Sequence, residues 1–192
     1  YKDYRETKDK PCTNLMRFTI RKGKLNMTVF MRSNDIWLGA IYDVYNFTMM
    51  QEIMASKLNI PVGKYTHIVD SLHIYAEQFE IAKQLINVQH INNSPILDAR
   101  ISPEKVDIEL ARVQNVEALT RRVSDVVDIN IVEKMLNDIE NEYWRSAAAV
   151  IAAYNFRKAG RPQEELDKLK TYITNEFKNT EIQNWKTLKT NK

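Results

Sequence analysis

One cysteine among 192 residues, Cys12, excludes an internal disulfide, and the chain is expected in a reducing compartment. Glycine and proline number only four and five, too few for a collagen-like or linker-rich protein. The chain shows no internal repeat and no low-complexity tract. No run of eighteen apolar residues occurs and no basic-then-apolar leader opens the chain, so the expectation is a soluble, cytoplasmic protein without a membrane partner. Charge is nearly balanced, 28 basic against 25 acidic residues for a net +3, which argues neither for nor against a nucleic-acid partner; no direct nucleic-acid binding is expected. His67, His73 and His90 stand scattered beside the one cysteine without metal-ligand spacing, so no metal site is expected. The chain opens on Tyr1 and reads as a piece of something longer.

The length suits one sizeable domain, or one domain with a helical appendage. Residues 1–10 are charged and read as a solvated lead-in. Leu15–Ile20 and Leu25–Met31 are rich in Phe, Ile, Val, Thr and Met, and Arg21-Lys22-Gly23-Lys24 between them predicts a hairpin. Apolar residues recur at three and four from Ile36 to Leu58, predicting a helix over 35–58. Its one expected buried face is marked by Ile36, Trp37, Ala40, Val44, Phe47, Met50, Ile53, Met54 and Leu58, and Asn59, Pro61 and Gly63 end it. Tyr65–Tyr75 reads as a strand with His67, Val69, Ser71, His73 and Tyr75 on one face. A short helix is expected over 79–91 and a turn over 92–95. Further helices are expected over 103–122, capped by Ser102 with Pro103 in the first turn, over 129–158, and over 162–177.

The hairpin brings Pro11-Cys12 towards Arg32-Ser33-Asn34-Asp35, so that a thiol, a guanidinium, a hydroxyl and a carboxylate share one sheet end. Leu38-Gly39, Asp43 and His73-Ile74-Tyr75 follow in order. This series resembles that of thymidylate synthases and the related pyrimidine nucleotide hydroxymethylases, in register from Pro11 to Tyr75 without an insertion and fading beyond. The resemblance implies an α+β fold: a thymidylate-synthase-like mixed sheet with packed helices, followed by a helical C-terminal region. Residues 1–97 would be the C-terminal half of the catalytic domain, and 98–192 a helical lid, packing or docking region.

The resemblance also assigns roles. Cys12 would add as a thiolate to C6 of a pyrimidine, favoured by a nearby cation such as Arg32. Arg32 and Ser33 would bind the phosphate of a deoxynucleoside monophosphate. Asp35 would join the hydrogen-bond network around the ring as the second catalytic residue, and His73 and Tyr75 would hold the ribose 3′-hydroxyl. The donor would be 5,10-methylenetetrahydrofolate, and the partner a second copy of the chain. Structural readings stay open beside these: a lone cysteine is usually a small buried hydrophobe, Asp35 suits a helix cap, and His73 and Tyr75 suit a core with satisfied polar tips.

Asp43 stands where thymidylate synthases carry Asn. A carboxylate accepts from the N4 amino group of cytosine, whereas against O4 of uracil two acceptors would meet, a mismatch on the order of 1–3 kcal/mol. The deoxycytidylate hydroxymethylases of the family are similar here, with Asp. The expected reaction is therefore conversion of dCMP to 5-hydroxymethyl-dCMP. The alternatives are a thymidylate synthase or uridylate hydroxymethylase acting on dUMP, and a nucleotide-binding or assembly protein without turnover. Thr13 in place of the family's His, Asp70-Ser71 in place of Gly-Asp, and the lack of the family's N-terminal half and C-terminal closing segment all depart from the pattern.

Overall fold

The computed structural model describes residues 10–86, 98–123 and 125–174. The chain forms two compact units, Tyr1–Ile91 and Asn92–Lys192, and both sheet and helices are present, an α+β protein.

In the first unit β1 (Thr13–Arg21) and β2 (Lys24–Asp35) form the expected hairpin. Lys22 and Gly23 both take positive φ, 51° and 70°, the twist that a two-residue turn needs to match its flanking strands. The helix α1 (Ala40–Leu58) then carries the chain across to β3 (Val62–His73), which pairs parallel with β2. The sheet is thus mixed, in the order β1-β2-β3. Leu25, Met27, Val29 and Met31 alternate into the core, where Phe47 of α1 clusters with Met27, Val29 and Met31. The alternation breaks after Arg32, and Asn34 rather than Ser33 turns inward, 4% exposed.

Two expectations in this unit change. α1 begins at Ala40, because the Asp35 carboxylate holds residues 36–39 in a turn. Its buried stripe is Phe47, Gln51, Ala55 and Ser56, while Val44, Met50, Met54 and Leu58 are exposed. A polar residue disguised the stripe: the Gln51 amide donates to the carbonyl of Leu25 at 2.7 Å and of Lys64 at 3.4 Å, so it is buried with its donors satisfied. Asn59 ends α1 in the left-handed conformation at φ 52°. β3 starts earlier than Tyr65 and stops at His73, leaving Tyr75 just outside it. A single 3₁₀ turn (Ala76–Gln78) leads into α2 (Phe79–Ile86); the rest of the expected 79–91 helix and the 92–95 turn lie outside the described residues.

The second unit is helical. Ser102–Lys105 is a turn closed by the Lys105 N–H on the Ser102 carbonyl at 2.9 Å, and α3 (Val106–Val123) starts after it, later than Pro103 suggested. The long helix expected over 129–158 is two helices, α4 (Ile129–Asn137) and α5 (Glu142–Lys158). The break at 138–141 is specified chemically. Buried Glu109 accepts from the backbone N–H groups of Glu140 and Asn141 at 3.0 and 3.2 Å, and the Asn141 side chain caps α5 by accepting from Trp144. α6 (Gln163–Thr171) follows Gly160, at φ 74°, and Pro162. Ala148, Ala149, Ala152 and Ala153 make one face of α5 small and buried, which lets α3 pack closely against it. Val116, Leu136, Phe156, Leu169 and Ile173 fill the core. Among the described residues no helix is long and apolar enough to cross a membrane.

Candidate functional site

At the C-terminal end of β2 the chain opens a cavity of about 380 Å³, and Cys12, Arg32, Ser33, Asp35, Asp43, His73 and Tyr75 all border it. Topology explains the convergence. The hairpin sets the start of β1 beside the end of β2, with the Arg32 N–H on the Cys12 carbonyl at 2.9 Å. Parallel pairing of Asp35 with His73 adds the end of β3, and the first turn of α1 contributes Asp43.

Arg32 fastens the segment that bears the thiol. Its Nε donates to the Pro11 carbonyl at 3.1 Å and its Nη2 to the Lys10 carbonyl at 2.9 Å. The Cys12 thiol is directed at that same Lys10 carbonyl, 3.7 Å away, so thiol and guanidinium share one anchor. Ser33 Oγ lies 3.5 Å from His73 Nδ1, and the rings of His73 and Tyr75 meet edge to face at 5.1 Å.

Asp35 has a local task. Its two carboxylate oxygens accept from the N–H groups of Trp37 and Leu38 at 3.0 and 3.1 Å, and its carbonyl accepts from Gly39 at 2.9 Å. The resulting tight turn requires glycine at position 39: an added Cβ would fall 2.5 Å from Asn34 Oδ1 and 3.0 Å from the Asp35 carbonyl oxygen. The turn delivers Asp43, half-buried, to the cavity wall.

Sequence reasoning passed over Asn34 and left His67 structural. Asn34 also borders the cavity, and behind it runs a polar chain. The Asn34 amide nitrogen is 3.4 Å from His67 Nε2 and donates to Met31 Sδ at 3.4 Å, while His67 Nδ1 is 2.6 Å from the Tyr65 hydroxyl. Burial, with the charge of Asp43 as a second cause, pushes the Tyr65 phenol up to about 12. The signal available beforehand was two hydrogen-bonding rings, Tyr65 and His67, two positions apart on one strand face. His90 lies outside the described residues.

A larger cavity, about 580 Å³, opens in the helical unit between Asn137, Arg145 and Tyr172, and no candidate residue lines it. Among the described residues, no group of three or more His, Cys, Asp or Glu side chains could hold a metal ion.

With this geometry established, comparison with known proteins defines the class. The thymidylate synthase family model matches residues 1–122, more than half the chain: the protein belongs to the thymidylate synthase family. The match runs past Tyr75 into α3, further than the motifs alone reach. Among similar proteins is the deoxyuridylate hydroxymethyltransferase of Bacillus phage SP01, 38% identical over 90 residues that cover 45% of this chain and 24% of that protein. The chain therefore spans about a quarter of that relative's length. Among solved structures, thermostable thymidylate synthase A from Bacillus subtilis aligns at 26% identity and TM-score 0.45, over 50% of this chain and 33% of that one.

Proposed function

We propose that the chain carries the nucleophile-bearing part of an enzyme that transfers one carbon to C5 of a pyrimidine deoxynucleotide, with dCMP as substrate and 5-hydroxymethyl-dCMP as product. The observation that carries this reading is the meeting of Cys12, Arg32, Ser33, Asp43, His73 and Tyr75 around one cavity of about 380 Å³, a size that suits a small ligand. Their order along the chain is the one the family's motifs have.

Each side chain has a task in this reading. The Cys12 thiolate adds to C6, which pushes electron density onto C5 and makes that carbon the nucleophile. Arg32 and Ser33 offer donors to the phosphate, and His73 and Tyr75 hold the ribose hydroxyl. Asp43 accepts from N4 of cytosine, and a proton shared with N3 draws off the charge that builds on the ring. Asp35 acts through the turn it holds, setting Asp43 against the cavity. Methylenetetrahydrofolate would supply the carbon at the oxidation level of formaldehyde, and water its hydroxyl. Leu38, 57% exposed at the cavity, would offer such a donor an apolar contact. As in the family, the working unit is a homodimer in the cytoplasm. Residues 1–97 are the C-terminal half of the catalytic domain and 98–192 a helical lid, packing or docking region, into which the family match extends as far as residue 122.

A second reading, dUMP as substrate, is favoured by one observation: the name of the phage relative is that of a deoxyuridylate enzyme. Tritium release from C5-labelled dCMP and dUMP by the full-length protein, with and without methylenetetrahydrofolate, separates the two, with the product weighed by mass spectrometry. Release from dCMP alone with a hydroxymethylated product is expected. Release from dUMP alone would overturn the cytosine assignment, and release from neither would leave a nucleotide-binding protein without turnover.

A further inference from the structure

We propose that Asn34 is a base-contacting residue: its side-chain oxygen, held as a fixed acceptor at the cavity wall, receives a hydrogen bond from an N–H of the bound pyrimidine. The inference rests on the reading of the cavity as a nucleotide site and adds to it a residue that the motif order leaves without a role.

Burial and hydrogen bonding single this side chain out. Asn34 is only 4% exposed, and its amide nitrogen has two partners, Met31 Sδ at 3.4 Å and His67 Nε2 at 3.4 Å. A thioether sulfur can only accept, so the nitrogen and not the oxygen is the atom that faces Met31. Donation to Nε2 as well requires that ring nitrogen to be unprotonated. The ring hydrogen then sits on Nδ1 and donates to the Tyr65 oxygen, 2.6 Å away. The Phe47 ring packs on His67 from α1, centroids 6.1 Å apart. The amide cannot turn over without setting its oxygen against two atoms that themselves accept.

That leaves the oxygen. No donor among the described residues reaches Asn34 Oδ1, which would be costly for an atom sealed from water. It is not sealed: among the described residues, the side-chain atoms both shut off from solvent and unpartnered are Gln78 Oε1 and Thr174 Oγ1. Asn34 Oδ1 is therefore open, and the opening that Asn34 borders is the cavity.

Position says which part of a ligand it meets. An added Cβ on Gly39 would fall 2.5 Å from this oxygen, so the oxygen lies against Gly39, itself a residue of the cavity wall. The Gly39 carbonyl accepts from the Asp43 N–H at 2.9 Å. Oxygen and carboxylate thus belong to one stretch of wall, the entry into α1, and the part of a nucleotide that meets Asp43 is the base. An amide oxygen can only accept. Its partner is an N–H: the amino group of cytosine, which has a second hydrogen beside the one Asp43 takes, or N3–H if the base is uracil. An acceptor already fixed by its neighbours loses little freedom when that donor arrives.

Binding of dCMP, of dUMP and of the 2-pyrimidinone deoxynucleotide, whose ring has no N–H, is measured calorimetrically with the full chain. The proteins compared are the wild type, Asn34→Leu, similar in shape without the acceptor, and Asn34→Ser, smaller and with its oxygen withdrawn, with a thermal melt of each. N34L is expected to weaken the preferred natural nucleotide about tenfold and to leave the pyrimidinone within about twofold of the wild type. A folded N34L that weakens both ligands equally, or neither, overturns the contact. If N34L melts below the assay temperature, N34S decides by the same comparison and in the same two ways. A wild type that binds neither dCMP nor dUMP overturns the nucleotide reading itself, and this contact with it; that failure shows before any variant is made.

Discussion

The two units use their apolar residues differently. The helical unit encloses most of them: Val116, Leu136, Phe156, Leu169 and Ile173 are buried almost completely, with an alanine face to bring α3 and α5 together, and few large ones, Val126 and Ile108 among them, stand outside. The sheet unit has a small core of Met27, Val29, Met31 and Phe47 and leaves large apolar side chains outside, Ile41 at 71% and Tyr42 at 67% exposure among them. It gathers its polar side chains at one strand end instead. Stability and chemistry are therefore carried by different residues, and substitutions should separate them.

The sharpest separation comes from Cys12→Ala in the full-length protein. It should lower turnover by at least about a thousandfold, as loss of a covalent nucleophile does, with an unchanged melt; tritium release checks the first part and circular dichroism the second. Its mirror image is Phe156→Ala, which opens a void in the helical core and should cost about 3–5 kcal/mol. Nucleotide affinity should stay as it was, and a drop in affinity with the melt would break the comparison. Arg32→Lys keeps the charge but not the planar fork that reaches two carbonyls. We expect both a higher KM for nucleotide, by about tenfold, and a lower kcat, read in steady-state kinetics.

Smaller effects sharpen the contrast. The Asp128 side chain caps α4 by accepting from the Asn130 N–H at 2.9 Å, so Asp128→Ala should cost about 1 kcal/mol in denaturant unfolding and nothing in binding. Tyr65 supplies a spectroscopic mark for the sheet unit. Its phenol, raised to about 12, should ionise after an ordinary tyrosine near 10, seen as the difference between wild-type and Y65F titrations at 295 nm. The folded state holds this proton more tightly than the unfolded one. The associated stability is fully present below pH 10 and is lost as the pH rises from 10 to 12.

Much of this was legible in the residues. Gly23 between two β-branched and aromatic runs marked the hairpin, and the motif order from Pro11 to Tyr75 placed seven residues that the structure brings to one cavity. What escaped was long-range. Gln51 sits in the buried stripe of α1 because two strand carbonyls receive its amide, a partnership that helical periodicity cannot register. The break between α4 and α5 depends on Glu109, about thirty residues earlier, and looked like continuous helix. Asn34 reads as an unremarkable residue between Ser33 and Asp35 until the reversal of the strand's alternation turns it inward.

The grip of Arg32 on the Lys10 and Pro11 carbonyls has a mechanical consequence. The guanidinium that would greet an incoming phosphate is also the strap across the segment before β1 that carries the thiol, so the two ends of a bound nucleotide would be gauged from one side chain. A tug on the strap from the phosphate end travels to the sulfur across a few bonds rather than through the bulk of the fold. In the proposed reading, whatever seats the phosphate would thereby also set the height of the thiol above the ring.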